Sequence, residues 1–188
     1  MIKIGLTGSI ASGKTISSKI VSFKRGPLFS ADKVVKKLYT KDSFKKNLSR
    51  IFELKANSNI KKNIKNFLLT NSNNLKKLEK LIHPLVREEM IAFFKKNQKK
   101  KYLFCEIPLL IENKLKKYFD VVIFIKSKKS LRLKRYKSKG GSNQFFRLLD
   151  HHQLKDTTKM KYCDHVVVNN KSLNILKKNL SYIMRLYE

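Results

Sequence analysis

Residues 2–7 read Ile-Lys-Ile-Gly-Leu-Thr, and Gly8-Ser9-Ile10-Ala11-Ser12-Gly13-Lys14-Thr15 follows at once. This is the pattern G-x-x-x-x-G-K-[ST] in a strand–loop–helix setting. It restricts the chain to an α/β architecture in which the loop joins a buried strand to a helix. Each position has a physical task. Gly8 and Gly13 let the backbone turn and present N–H groups to anionic oxygens. Lys14 supplies a mobile cation for β- and γ-phosphates. The Thr15 hydroxyl suits a Mg²⁺ ion that keeps most of its waters. Apolar residues at Ile16, Ile20 and Phe23 predict a helix whose positive N-terminal end faces the phosphates. The sequence therefore predicts a site for a nucleoside triphosphate.

The 188 residues allow one substantial core with a small appended lid, so a single domain over 1–188 is expected. A hydrophobic share of 41% fits a globular chain. No apolar run is long enough to cross a bilayer, and the first strand starts too early for a secretory signal. A cytoplasmic protein is expected. Cys105 and Cys163 adjoin strand-like runs without metal-ligand spacing, which predicts two reduced thiols. The net charge of +31 has three readings: nucleic-acid affinity, a site for two polyanionic small molecules, or a general bias toward Lys and Asn. The lysines are scattered over nearly every helix rather than gathered with aromatics, so no specific nucleic acid is expected.

β-rich runs recur at Ile2–Thr7, Pro27–Phe29, Tyr102–Cys105, Val121–Ile125 and His165–Val168, separated by Lys-rich segments of helical spacing. The alternation predicts a five-stranded parallel sheet with helices on both faces. Val121–Ile125 and Val166–Val168 are continuous apolar runs, which predicts burial on both sides for each. Helices are expected over Asp32–Tyr39, in two pieces across Phe44–Leu69 with a break near Ala56–Asn59, from Asn73 to a bend or restart at His83-Pro84, over Leu131–Lys139, from Phe145 past Leu154, and over Leu173–Leu186. The Lys/Asn-rich stretch from Lys55 to Asn66 reads as a mobile excursion.

Three later constellations bear on the chemistry. Asp32, in Phe29-Ser30-Ala31-Asp32, falls at the carboxyl end of the second strand, where ligands bind in open α/β sheets. It is placed to take a proton from an attacking hydroxyl or to orient it, and equally to cap the helix that follows. His83 sits beside Pro84 in Leu81-Ile82-His83-Pro84-Leu85. Pro108 ends the third strand in Glu106-Ile107-Pro108-Leu109-Leu110-Ile111-Glu112 and aims the following loop across the strand ends.

In their order and spacing behind the loop, these segments resemble dephospho-coenzyme A kinases. Leu133-Lys134-Arg135, Gln153 and Asp164–Asn170 extend the resemblance, which covers Ile2 to about Asn170. It implies a fold of the P-loop kinase type, with a helical acceptor-binding region over about 40–95 and a lid over about 128–160. The implied reaction moves the γ-phosphate of ATP to the ribose 3′-hydroxyl of dephospho-coenzyme A, aided by Mg²⁺ on Thr15. Gly8, Ala11, Ser12, Gly13, Lys14, Thr15, Ile16 and Asn169 fall at ATP-side positions. Asp32, Lys36, His83, Pro108 and Leu109 fall at acceptor-side positions, and Lys14, Asp32 and Arg135 at catalytic ones. Arg135 is preferred to Lys134 because a planar guanidinium suits phosphate. The partners are then ATP and dephospho-coenzyme A, with no membrane, in a monomer or weak oligomer.

The chain departs from that pattern in the segment from Thr40 to Asn59, which is shorter than usual, and at four single positions. Ser30 stands where an Asp is common. Ala11 replaces a loop glycine, which is acceptable only if its φ is negative. Lys36 replaces an arginine, and Arg147 is out of register with Gln153. Two other readings remain open on the residues alone, another small-molecule or nucleoside monophosphate kinase and a basic P-loop ATPase that binds nucleic acid.

Overall fold

A computed structural model describes residues 1–53 and 60–188. Along the chain run β1 (Ile2–Thr7), α1 (Lys14–Ser22), β2 (Leu28–Ser30), α2 (Ala31–Leu38), α3 (Asp42–Phe52), α4 (Ile60–Thr70) and α5 (Ser72–Lys96). Then come β3 (Tyr102–Glu106), a 3-10 turn at Leu115–Tyr118, β4 (Val121–Lys126), α6 (Lys129–Lys137), α7 (Asn143–His152), α8 (Asp156–Met160), β5 (His165–Val168) and α9 (Leu173–Arg185). The chain divides into two compact units, one built from Met1–Ser30 with Ala92–Glu188 and the other from Ala31–Ile91.

The first unit holds a five-stranded sheet in the order β2-β3-β1-β4-β5, every pairing parallel. Central β1 pairs Leu6 with Glu106 on one side and with Ile123 on the other, so the ends of β1, β3 and β4 are level. On one face Ile4, Leu6, Phe104, Ile123, Ile125 and Val167 pack with Val21 of α1 and Leu176, Leu180 and Met184 of α9. On the other face Gly5 leaves room for Leu110 and Phe119, whose side chains a Cβ would strike. Phe94 packs edge-on against Phe119 with ring centroids 5.9 Å apart. Two carboxylates fix the lower edge. Asp120 accepts Lys3 N–H at 2.7 Å and Asp164 accepts Val122 N–H at 2.7 Å, so each caps the strand beside it.

The sequence reading places all five strands within about one residue but misjudges the burial of β5. β4 is buried from Val121 to Ile125, as a central strand should be. In β5 only Val167 is buried, while Val166 and Val168 are 44% and 47% exposed. β5 is the edge strand, and an apolar run reads the same whether one face is covered or two.

The second unit is helical, with Leu38, Phe44, Leu48, Phe52, Ile64, Leu68, Leu75, Leu78, Ile82, Val86 and Met90 buried. Tyr39 meets Phe44, and Phe52 meets Phe67, both edge to face. The break expected at Ala56–Asn59 lies outside the described residues, as does the first part of Lys55–Asn66; α4 begins at Ile60. Of the bend or restart expected at His83-Pro84, the restart does not occur: α5 is one helix of 25 residues with Pro84 inside it. Proline removes one hydrogen bond from the ladder. The buried row at 75, 78, 82, 86, 90 and 94 continues past it in helical register and outweighs that loss.

Candidate active site

The loop after β1 is wrapped so tightly that two of its glycines cannot be replaced. Gly8 (φ 148°) and Gly13 (φ 102°) lie where side chains are strained, and a Cβ would meet the Ile125 carbonyl at the first and the Asn169 amide at the second. Ala11 also has positive φ, at 56°, so the condition for replacing that glycine freely is not met. An L-residue there carries about 1–2 kcal/mol of strain. Lys14 is buried, and its Nζ donates to Ser9 O at 2.9 Å. Ile16 is 40% exposed at the start of α1.

Beneath the loop, the end of β3 supplies an acid that the sequence reading leaves without a role. Glu106 is buried; its Oε1 accepts the Thr15 hydroxyl at 2.5 Å and its Oε2 accepts the Ser30 hydroxyl at 3.1 Å. Thr15 spends its proton on Glu106, so its oxygen lone pairs remain for a hard cation. Ser30 thus serves Glu106 as a hydrogen-bond donor, where an aspartate would set a second carboxylate beside the first. The available signal was local: Glu106 is the one acid in Tyr-Leu-Phe-Cys-Glu, at the carboxyl end of an otherwise apolar strand.

Above the loop, α6 and the end of β5 close in. Arg135 donates from Nη1 to Ser127 Oγ at 3.0 Å and Ser12 O at 3.4 Å, and from Nη2 to Asn169 O at 3.0 Å. Asn169 in turn donates from Nδ2 to Ser12 O at 2.8 Å. Lys134 is exposed. Arg132 is buried, with Nη1 on Asp150 Oδ1 at 2.6 Å and its guanidinium 5.7 Å from the Phe146 ring centroid. From the connection between α7 and α8, Gln153 Oε1 accepts Ile10 N–H at 2.9 Å, and Asp156 accepts the Ser9 hydroxyl. The helix expected to run from Phe145 past Leu154 therefore stops at His152, because the next residues turn to the loop.

Asp150 joins α6 to α7 by taking Lys129 Nζ on Oδ2 at 2.9 Å as well as Arg132. Burial pushes its carboxyl up, but the hydrogen bonds and charges of Lys129 and Arg132 outweigh that and hold it below its ordinary value. A depressed carboxyl stabilises the fold above its unfolded pKa of about 4, and that contribution is lost as pH falls through the folded value. Asp150→Asn is expected to cost about 1–3 kcal/mol at neutral pH. In urea unfolding, the gap from the unmodified chain should close as pH is lowered toward 3. A gap that is constant with pH would remove the carboxylate from this account.

Pro108 and Leu109 follow β3 in the first unit, and the Pro108 carbonyl accepts the Thr7 hydroxyl at 3.0 Å. Asp32, Lys36 and His83 belong to the second unit. Asp32 and Lys36 are exposed on α2, one turn apart on one face, and His83 is half-buried within α5. The thiols are free and unsuited to attack. Burial raises Cys105 strongly and Cys163 to about 11. Among the described residues no group of three His, Cys, Asp or Glu side chains could hold a metal, and no helix is long and apolar enough to cross a membrane.

The comparisons point one way. Solved structures of similar fold include TT1252 from Thermus thermophilus (TM-score 0.78, 22% identity, 98% of this chain and 97% of that one). Another is a dephospho-CoA kinase from Campylobacter jejuni (TM-score 0.67, 26% identity, 97% and 95%). A dephospho-CoA kinase of Rickettsia conorii is 30% identical over 186 residues, which are 98% of this chain and 97% of the relative. The family model described as dephospho-CoA kinase matches residues 2–174. With that match over nearly its whole length, the chain belongs to the dephospho-CoA kinase family.

Proposed function

We propose that this chain transfers the γ-phosphoryl group of ATP to the ribose 3′-hydroxyl of dephospho-coenzyme A, giving coenzyme A and ADP, the last step of coenzyme A synthesis. The observation that carries the reading is the convergence at one loop of its own Lys14, Arg135 from above, and the Thr15–Glu106 pair at the strand ends. Phosphoryl transfer asks little of side chains beyond alignment and positive charge around the equatorial oxygens.

Lys14 leaves Ser9 O to meet the β- and γ-phosphates. Backbone N–H groups of the loop, other than those of Ile10 and Ser12 that are given to Gln153 and Ser9, hold the triphosphate at the positive end of α1. Thr15 and Glu106 would supply oxygen donors of the kind Mg²⁺ prefers. Mg²⁺ bound there would neutralise charge on the phosphate oxygens. Asn169 braces the loop through Ser12 while its neighbours approach the ATP base. Asp32 orients the 3′-hydroxyl and accepts its proton, and Lys36, one turn on, faces the acceptor's phosphates. His83, Pro108 and Leu109 complete the acceptor side. In this reading the helical region over about 40–95 is the acceptor-binding part of one P-loop kinase domain, and about 128–160 form the lid. The chain works in the cytoplasm as a monomer or weak oligomer.

ADP release by the purified chain tests the reading. It should require ATP and Mg²⁺ and rise with dephospho-coenzyme A, but not with adenosine, AMP or shikimate. Release stimulated by AMP or shikimate alone would overturn the substrate assignment.

A further inference from the structure

Lys159 is 0% exposed, although lysine is among the residues least often buried. Its Nζ lies 2.6 Å from Glu112 Oε1 and 3.3 Å from the Pro108 carbonyl. Glu112 Oε1 also accepts Leu154 N–H at 3.2 Å, while Glu112 Oε2 is buried with no hydrogen-bond partner among the described residues. A buried ion pair that leaves one carboxylate oxygen unsatisfied is a weak stabiliser, because desolvation offsets most of the attraction. Its connections suggest a different task. The Pro108 carbonyl that takes Lys159 also takes the hydroxyl of Thr7, which enters the phosphate loop. Leu154, held by Glu112, is flanked by Gln153 on Ile10 N–H and by Asp156 on the Ser9 hydroxyl. The two ends of the network therefore meet the loop at its entry and at its crown.

We propose that Lys159 and Glu112 are positioning residues for phosphate transfer, a buried anchor that holds the α7–α8 connection so that Gln153 and Asp156 fix the backbone N–H groups of the triphosphate loop. The proposal rests on the loop being the ATP site, as inferred above. Neither residue touches substrate. Their action on the loop passes through Gln153 and Asp156, so the larger effect should fall on ATP, with only a smaller one reaching the acceptor through Pro108.

The test removes both charges together with Lys159→Met/Glu112→Leu, because removing one would strand the other in the interior. The double variant should melt within a few degrees of the unmodified chain. Its kcat/KM for ATP should fall about 10²-fold, as a loop displaced by about 1 Å would lose. Its KM for dephospho-coenzyme A should move by less than about fivefold, because only the Pro108 contact reaches the acceptor side. Gln153→Leu should lower kcat/KM for ATP similarly, and adding it to the double variant should cost less than about threefold more, because the changes share one route. A folded double variant with unchanged ATP constants, or with losses spread equally over both substrates, would overturn the proposal. If the double variant does not fold, Leu154→Pro, which the extended backbone of Gln153 (φ −78°, ψ 149°) tolerates, removes the N–H that Glu112 holds. It should weaken ATP about tenfold, and unchanged ATP constants there would be equally fatal. Affinity for a fluorescent ATP analogue, measured without acceptor, separates this outcome from a wrong acceptor assignment.

Discussion

Arg135→Ala is expected to lower kcat by at least about 10³-fold, the usual worth of an arginine at a transferring phosphate, while KM for ATP moves by less than about fivefold. Two arginines on α6 compete for that role, and their partners distinguish them. Arg132 is buried and gives its Nη1 to the Asp150 carboxylate at 2.6 Å, so its charge is already matched and its place fixed by Phe146. Among the described residues Arg135 gives its hydrogen bonds to neutral oxygens, those of Ser127, Ser12 and Asn169. Its charge lies unmatched at the rim of the loop, where charge develops on the γ-phosphate oxygens in the transition state. Arg135→Lys should recover little of the rate, because an ammonium lacks the planar fork. Arg132→Ala should lower the melting temperature more than it lowers kcat. Steady-state kinetics with thermal melts decides the matter. If Arg135→Ala keeps kcat within about threefold, the phosphate-facing cation is another residue.

What the sequence disclosed follows from how local each signal is. The loop, its strand and its helix were legible because G-x-x-x-x-G-K-T is a backbone requirement written in consecutive residues. The parallel sheet was legible because β-rich runs alternate with helical spacing. Edge position was not, since Val166 and Val168 depend on what lies beside β5 rather than on β5 itself. Pro84 misled because a local rule was outweighed by a buried row that spans the whole of α5. Ala11 could be judged only once its φ was known. Glu106, Glu112 and Lys159 were passed over for a shared reason. Each gains its meaning from a partner far along the chain, Thr15 lying 91 residues from Glu106 and Pro108 lying 51 from Lys159. Long-range polar pairs of this kind leave no periodicity behind them.

Asp32→Asn is expected to lower kcat by about 10²–10⁴-fold, the range for a positioned general base, with ATP affinity unchanged. Asp32 stands in the first turn of α2, two residues beyond Ser30 along the chain, and it is exposed. As a first-turn acid alone, Asp32 meets the positive end of α2, an interaction worth about 0.3–1 kcal/mol of stability and nothing in rate. The two roles therefore differ in rate. A helix-end charge predicts a slightly lower melting temperature with an intact kcat. A base or positioner predicts the same small change in melting temperature with the rate lost. Asn preserves shape and one acceptor oxygen but cannot carry the proton, so Asp32→Glu should recover more activity than Asp32→Asn if proton acceptance matters. Titration of a fluorescent ATP analogue should give the same affinity in all three proteins, because the triphosphate is held by the loop. Equal turnover in the unmodified chain and Asp32→Asn would reduce Asp32 to a helix-end charge and leave the acceptor hydroxyl to be steered by another group.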